Sequence, residues 1–366
     1  MMKVLHVHSG NLYGGVETFL LTLARARRFA PGMEMSVALC FDGRIADELR
    51  GEGVALFFVG EVRLRRPDQV RHARKALRAL LAAHAFDVVV CHQAWPLAIF
   101  GPVVKRAGIR LAAWVHMAQT GRHWLERLAG RIEPDCFVCN SHFTASELPP
   151  TRARVEVVYY PVEPITAPGS RSPQPGKPVA IIQVSRMEPS KGQAILIEAL
   201  SRLRGDPRWT CAIVGGPQRP VEARYFESLQ TSALRSGIGD RVTFMGQRAD
   251  VPALLASADL FCQPNLGPEA FGISFVEALA AGLPVVTSAM GGALEIVDET
   301  CGILVPHGDA AALAGALSQL VDDAARREQL GRRGPDRARL LCGPAVQVNR
   351  IAAVFESIAH PRAVVP

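Results

Sequence analysis

Within the stretch GPEAFGISFVEALAAGLPVV, Gly267 to Val286, two glutamates, Glu269 and Glu277, stand among apolar and small residues. An ionised carboxylate is a hydrogen-bond acceptor that an apolar run has no structural need of, so the pair calls for a reason. On one continuous helix, eight residues at about 100° each would leave them roughly 80° apart and over two turns distant, too far to share one ligand closely. The surrounding residues assign them to different elements. Ala258–Gln263 reads as a short apolar strand, ended by the turn chemistry of Pro264–Pro268. From Ile273 onward, Phe275, Val276, Leu279 and Ala280 follow helical spacing, and Gly282 and Pro284 stop the helix. Glu269 is thus expected in the loop before a helix, and Glu277 on it. The amides of Phe271, Gly272 and Ile273 would lie at the helix N-terminus, where a phosphate or sugar oxygen can accept their hydrogen bonds. Taken singly, each glutamate reads more simply as a solvated side chain, so the rest of the chain has to decide.

Other chemistry-bearing residues fall at predicted strand ends. Val179–Val184 is followed by Ser185-Arg-Met-Glu-Pro-Ser-Lys-Gly192, with a helix from about Gly192. Arg186 and Lys191 therefore sit where a strand opens into a helix, and a guanidinium fork and a point charge there can converge on a diphosphate. The strand ending at His8 runs into Ser9–Glu17 and a helix near Val16; the glycines of this loop, Gly10, Gly14 and Gly15, would permit positive φ and close approach of a ligand. The loop does not match G-x-G-x-x-G, and G-x-x-x-x-G-K-[ST] is absent, which weighs against a dinucleotide oxidoreductase and a P-loop enzyme. Met290-Gly291-Gly292 is a further glycine loop. His116 follows the predicted strand Leu111–Val115, with His6, His8, His92 and His123 as rivals for a catalytic histidine. Cys136 and Cys139 have the C-x-x-C spacing, but an odd separation on a strand sends their thiols to opposite faces, so core packing is expected and not zinc or redox chemistry.

The elements that must position these residues alternate. Lys3–His8, Ser36–Phe41, Asp87–His92, Leu111–His116 and Asp135–Asn140 read as strands with helices between, the pattern of a parallel, doubly wound α/β sheet. Glu163–Pro178 is too rich in Pro, Gly and Ser for regular structure and reads as a linker. The alternation then restarts with Val179–Val184, Thr210–Val214, Val242–Phe244, the strand containing Asp259, Pro284–Thr287 and Gly302–Val305. Two Rossmann-like domains of similar size are implied. Ligands in such sheets bind beyond the carboxyl ends of the strands, so two facing domains would form a cleft.

Length and composition agree: 366 residues are long for one core, and 49% hydrophobic with 20% charged residues suits a packed globular protein. Eight cysteines without a disulfide-like framework, and no basic, apolar leader, point to the cytoplasm; no apolar run is long enough to span a membrane. Residues 1–165 hold 21 Lys/Arg against 15 Asp/Glu, and residues 166–366 hold 20 against 19, so the net charge of +7 belongs almost wholly to the first half. Much of it lies in Arg63, Arg65 and Arg66 and in a helix from Pro67–Asp68, whose Arg71, Arg74, Lys75 and Arg78 oppose Leu77, Leu80 and Leu81. Such a helix either leans peripherally on an anionic membrane, here its inner face, or on an anionic substrate, or is a solvated surface helix with long basic side chains.

With these residues in place, the chain resembles the retaining GT-B glycosyltransferases, and most closely the GT4 family of sugar transferases. Glu269 and Glu277 match the family's E-x7-E element, Arg186 with Lys191-Gly192 its basic pair, and Gly14-Gly15-Val16-Glu17 its N-terminal glycine loop. The resemblance implies an acceptor-side domain over 1–165, a linker over 166–178, a nucleotide-sugar-binding domain over 179–345, and a helix within 346–366 returning to the first domain. It implies a UDP- or GDP-sugar donor and no cofactor. Arg186 and Lys191 would hold the diphosphate, Glu277 the ribose hydroxyls and Glu269 the donor sugar. Gly14, Gly15 and the amides of Phe271, Gly272 and Ile273 would add sugar and phosphate contacts, Gln247 and Arg248 would lie along the base, and His116 would sit beside the sugar and leaving phosphate. The acceptor would be a saccharide or lipid-linked molecule in envelope or exopolysaccharide synthesis, with no nucleic-acid partner. Asp-x-Asp is absent, so a divalent ion has no evident ligand pair, and metal-independent front-face transfer with retention is implied. Two positions depart from the pattern: Tyr160 stands where the family usually has asparagine, and Ala270 replaces a frequent glycine. A sugar-nucleotide epimerase and an inactive nucleotide- or carbohydrate-binding module are the alternatives.

Overall fold

The computed structural model describes residues 1–11, 13–119, 121–165 and 176–360. Its backbone packs as two compact units, one of Met1–Pro161 with the segment from Pro344, the other of Val162–Gly343. The first unit runs β1 (Met2–His8), α1 (Gly15–Ala26), β2 (Met33–Leu39), α2 (Arg44–Gly51), β3 (Ala55–Phe58), α3 (Pro67–Ala83) and β4 (Val88–His92). It continues with α4 (Ala94–Arg106), β5 (Arg110–Val115), α5 (Trp124–Ala129), β6 (Cys136–Cys139), α6 (His142–Ser146) and β7 (Arg154–Val157). The second runs β8 (Val179–Val184), α7 (Gln193–Arg202), β9 (Trp209–Val214), α8 (Pro220–Arg235), β10 (Val242–Gly246), α9 (Val251–Ser257) and β11 (Leu260–Gln263). After these come α10 (Ile273–Ala280), β12 (Val285–Ser288), α11 (Ala293–Ile296), β13 (Gly302–Val305), α12 (Ala310–Asp322) and α13 (Ala324–Cys342). The last helix, α14 (Pro344–Ala359), packs with the first unit, where Phe355 meets Trp114 and His6 edge-on.

Each unit is one parallel sheet between helices. The first sheet has the order β3-β2-β1-β4-β5-β6-β7 and the second β10-β9-β8-β11-β12-β13. Strand order reverses between β1 and β4 in one and between β8 and β11 in the other, and at such switch points the loops leaving the strands diverge and open a ligand crevice. The loops at these two points are Ser9–Gly14, the segment after His92, Ser185–Gly192 and Pro264–Gly272. The central strands are buried on both faces, which is why they read as near-continuous apolar runs.

Two edge strands carried weaker signals. Ala55–Phe58 is half exposed, and Arg154-Val-Glu-Val157 alternates charge with apolar residues, so neither forms the apolar run that marked the inner strands. The linker expected over 166–178 lies outside the described residues as far as 175. Among the described residues no helix is long and apolar enough to cross a membrane.

Helix α3 corrects one expectation. Arg74 does not share the solvated basic face: its guanidinium turns inward, donating Nε to the carbonyl of Ile99 at 2.8 Å and Nη2 to that of Ala98 at 3.3 Å. Pro102 inside α4 has no N–H to return to Ala98 four residues earlier, and Arg74 supplies the missing donor. Arg71, Lys75 and Arg78 remain exposed. All eight cysteines are buried and free, and burial lifts Cys136 and Cys139 to about 12, far from a reactive thiolate at neutral pH.

Candidate active site

In the second unit the loop after β8 folds onto the loop after β11. The amides of Leu266 and Gly267 both donate to the carbonyl of Ser190, at 2.9 and 3.3 Å. Gly192 makes this approach possible: its φ is +74°, and a Cβ there would lie 1.8 Å from the carbonyl oxygen of Pro264. The seam sets Lys191 against Glu269, with Nζ 2.6 Å from Oε2 and only 18% and 14% of the two side chains exposed.

Glu269 is fixed from several directions. Asn265 Nδ2 donates to the same Oε2 at 3.0 Å and Gln263 Nε2 at 3.4 Å, so every protein hydrogen bond to this side chain among the described residues falls on one oxygen. Its main chain forms an isolated parallel bridge with Gly291 and accepts from the Gly292 amide at 2.7 Å. The Met290–Gly292 loop thus clasps the carboxylate's backbone. Burial works against the charged form of Glu269, but the charge and hydrogen bond of Lys191, the Asn265 amide and the more distant charge of Arg186 outweigh it and hold the carboxyl below its usual range.

Glu277, on α10 as expected, has a different environment. Its carboxyl takes no hydrogen bond among the described residues, and burial pushes it up to about 7. The small residues Gly331 and Gly334 of α13 lock its helix in place, since a Cβ at either would lie within 2.6 Å of the carbonyl of Gly282 or Leu279. Gly272 opens α10 at φ +92°, and the first-turn amides at Ile273 and Ser274 precede any intrahelical acceptor.

Arg186 is 44% exposed and rests on Glu188 at 2.9 Å; Arg219 holds the same carboxylate at 3.2 Å. The two cations of the strand-end loop thus lie on separate carboxylates, Arg186 on Glu188 and Lys191 on Glu269. Gln247 and Arg248 are exposed in the turn after β10, with Arg248 paired to Asp250 at 2.6 Å.

Three glutamines position this site and were not singled out from the sequence. Gln183 Nε2 donates to the Lys191 carbonyl at 2.8 Å and Gln193 Nε2 to that of Arg186 at 2.7 Å, both side chains fully buried. Gln263 ties Asn265 to Ser274, at 2.9 and 3.2 Å. A glutamine inside the apolar runs Val179–Val184 and Leu260–Gln263 was the available signal.

In the first unit, Glu17 organises the glycine loop. One oxygen is 2.6 Å from His8 Nε2 and the other accepts the Gly14 amide at 3.0 Å, which caps α1. Of the glycines in this loop, Gly10 takes the positive φ, at +79°; Gly14 is extended at −166° and Gly15 begins the helix that Glu17 caps. His116 is 5% exposed at the end of β5, with Nε2 2.8 Å from His92 Nδ1 and Nδ1 bonded to the Tyr160 hydroxyl. Burial, then the neighbouring His8 and His6, hold it well below its ordinary value, and it is neutral. His123 lies apart and caps α5. Among the described residues no group of three or more His, Cys, Asp or Glu side chains is placed to hold a metal ion.

Solved structures share this architecture. The HepE protein of Anabaena, crystallised in complex with UDP-glucose, superposes with a TM-score of 0.84 at 25% identity over 98% of this chain and 100% of that one. Two such Rossmann-like units define the GT-B glycosyltransferase class. Residues 13–164 match glycosyltransferase family 4 and residues 170–337 match glycosyl transferases group 1. A GDP-mannose-dependent alpha-(1-6)-phosphatidylinositol monomannoside mannosyltransferase of Mycolicibacterium smegmatis is 31% identical over 70% of this chain and 72% of its own. A D-inositol 3-phosphate glycosyltransferase of Salinispora tropica is 38% identical over 52% of this chain and 40% of its own. The chain belongs to glycosyltransferase family 4, and it is a transferase.

Proposed function

We propose that the enzyme transfers a sugar, with retention and without a metal ion, from a UDP- or GDP-sugar to a saccharide or lipid-linked acceptor in cell-envelope or exopolysaccharide synthesis. The observation that carries this reading is the Lys191–Glu269 pair at the sheet's switch point. One oxygen of Glu269 is saturated by Lys191, Asn265 and Gln263, and the other is left for a sugar hydroxyl. Lys191 spends one of its three donors on Glu269 and keeps two for diphosphate oxygens. Arg186 would leave Glu188 to join it, and the first-turn amides of α10 would add their hydrogen bonds. Glu277 would take the ribose hydroxyls, and Gln247 and Arg248 would lie along the base. Gly14, Gly15 and His116 of the first unit would serve the sugar side.

The chemistry follows the charge. As the bond from the sugar's anomeric carbon to the diphosphate breaks, negative charge grows on the phosphate, where preorganised cations and amides stabilise it most. The acceptor oxygen bonds to the anomeric carbon from the same face, and its proton passes to the departing phosphate oxygen. Arg186 and Lys191 supply the positive charge that a divalent ion provides elsewhere, and Asp-x-Asp is absent from the sequence. Support for the donor class comes from HepE, crystallised in complex with UDP-glucose, and from the GDP-mannose-dependent relative. The exposed Arg71, Lys75 and Arg78 of α3 would hold the enzyme peripherally on an anionic membrane surface on the cytoplasmic side.

Ligand-observed NMR with a panel of UDP- and GDP-sugars in EDTA, on wild type and Glu277→Ala, tests the donor assignment. Selective binding that weakens in the variant is expected. Binding of no nucleotide sugar, or equal binding by both proteins, contradicts it and favours an inactive module.

A further inference from the structure

In and just beyond five neighbouring strands of the first sheet, a single buried line of polar side chains forms: His6 of β1, His92 at the end of β4, His116 after β5, Asn140 after β6, and Tyr160 three residues beyond β7. His6 Nδ1 lies 2.9 Å from His92 Nε2, and His92 Nδ1 lies 2.8 Å from His116 Nε2. His116 Nδ1 meets the Tyr160 hydroxyl, and Tyr160 oxygen accepts from Asn140 Nδ2 at 3.1 Å. Thr144 fixes the other end of that amide, donating to Asn140 Oδ1 at 2.9 Å. Exposure of the three imidazoles is 0%, 0% and 5%. Burial brings His6 down to about 3 and holds the other two well below their ordinary values, so each ring carries one N–H and one acceptor nitrogen.

The links then constrain one another. Each histidine–histidine contact joins Nδ1 of one ring to Nε2 of the next, so a proton on Nε2 of His116 requires Nε2 protons on His92 and His6. A proton on Nδ1 of any ring requires it on all three. Three imidazoles therefore share one choice of tautomer. The choice falls to Tyr160, whose oxygen accepts from Asn140: a phenol proton given to His116 Nδ1 would fix one tautomer along the whole line. All three rings are then Nε2–H, and the line ends on His6 Nε2, a buried nitrogen with no hydrogen-bond partner.

We propose that Tyr160, His92 and His6 are positioning residues that lock His116 as an Nε2–H imidazole with both ring nitrogens occupied, so that His116 enters the transfer as a fixed ring and main-chain carbonyl and neither gives nor takes a proton. The role given to His116 rests on the function proposed above; the shared tautomer does not. Tyr160 is also the residue that departs from the family pattern, so the line gives that departure a task.

Long-range proton–nitrogen NMR of the full chain at pH 7 reads every imidazole tautomer without a substrate. Nε2–H is expected for His6, His92 and His116; a mixture of tautomers, or Nδ1–H throughout, overturns the proposal. Tyr160→Phe removes only the hydroxyl and keeps the ring, which stacks 4.8 Å from Phe19. In this variant all three histidines are expected to move toward averaged tautomers, including His6 at the far end. A shift confined to His116 would show that the contacts are uncoupled and would overturn the line. For turnover, nucleotide release from UDP-glucose and GDP-mannose is followed in both proteins. A fall in kcat of about tenfold or more with KM unchanged is expected from misplacing the ring, and an unchanged kcat overturns the positioning role. If wild type turns over neither sugar, the proposed function fails while the tautomers still decide the line.

Discussion

Lys191 and Glu269, 78 residues apart in the chain, form an ion pair 2.6 Å long between two loops that leave adjacent strands of one sheet. The pair stands before any donor arrives. In the proposed reaction, a carboxylate already held by a cation and two amides would offer a sugar a fixed acceptor, and the cation would offer a phosphate a fixed charge, with little reorganisation left to the reaction. Burial makes the pair interdependent: removing one partner leaves the other charge largely desolvated.

Substitution should expose that dependence. Glu269→Gln keeps an acceptor but loses the charge that holds Lys191, and its kcat/KM is expected to fall by at least about 100-fold. Steady-state kinetics check this, and a Glu269→Gln enzyme within a few-fold of wild type would remove Glu269 from the donor site.

Glu277 sets a pH dependence. A carboxyl near 7 is mostly protonated at pH 6 and mostly ionised at pH 8, and the ribose hydroxyls proposed to bind Glu277 would donate to the ionised form. Donor affinity should therefore weaken up to about tenfold from pH 8 to pH 6. Glu277→Gln should flatten the profile in titration calorimetry. Because the native value lies above the unfolded one, the fold loses stability as pH rises from the ordinary carboxylate range to about 7 and stays at that cost above it, so the same variant should be more stable than wild type at pH 8 and no more stable at pH 4.

The seam between the two loops depends on Gly192. Gly192→Ala puts a Cβ into the Pro264 carbonyl at positive φ and is expected to cost about 1–3 kcal/mol in urea unfolding, with loss of donor binding. Gly205→Ala, where a Cβ meets nothing within 4 Å, is the control and should be close to neutral.

Arg74 and Pro102 should couple. Arg74→Ala leaves the Ala98 carbonyl without a donor and is expected to destabilise by about 1–3 kcal/mol. In a Pro102→Ala background the restored N–H reaches that carbonyl, and the cost should shrink. Equal costs in both backgrounds would mean that Arg74 acts through packing alone.

Membrane contact through α3 is separable from this. Anionic phosphatidylglycerol vesicles at low salt should sediment the wild type and release Arg71→Glu/Lys75→Glu/Arg78→Glu, with neutral phosphatidylcholine binding neither. Absence of wild-type binding to the anionic vesicles would leave α3 a solvated surface helix.

Much of this was readable in the chain because the signals were local. The turn at Pro264–Pro268 separated Glu269 from Glu277, and apolar runs bounded the inner strands. What escaped depends on neighbours that meet only after folding. Nothing near Arg74 announces that Pro102 will leave a carbonyl unpaired on the next helix. The line from His6 to Tyr160 draws its members from in or just beyond five separate strands, over more than 150 residues of sequence, and no window holds two of its links. The edge strands Ala55–Phe58 and Arg154–Val157 are short and partly solvated, so their composition does not set them apart from loops.

The most direct test is nucleotide release from UDP- and GDP-sugars in EDTA, compared between wild type and Lys191→Ala. Release by wild type of one nucleotide class, at least about 100-fold slower in the variant, is predicted. Release that needs a divalent ion, or that Lys191→Ala leaves intact, would contradict a metal-free site built on Lys191 and Glu269.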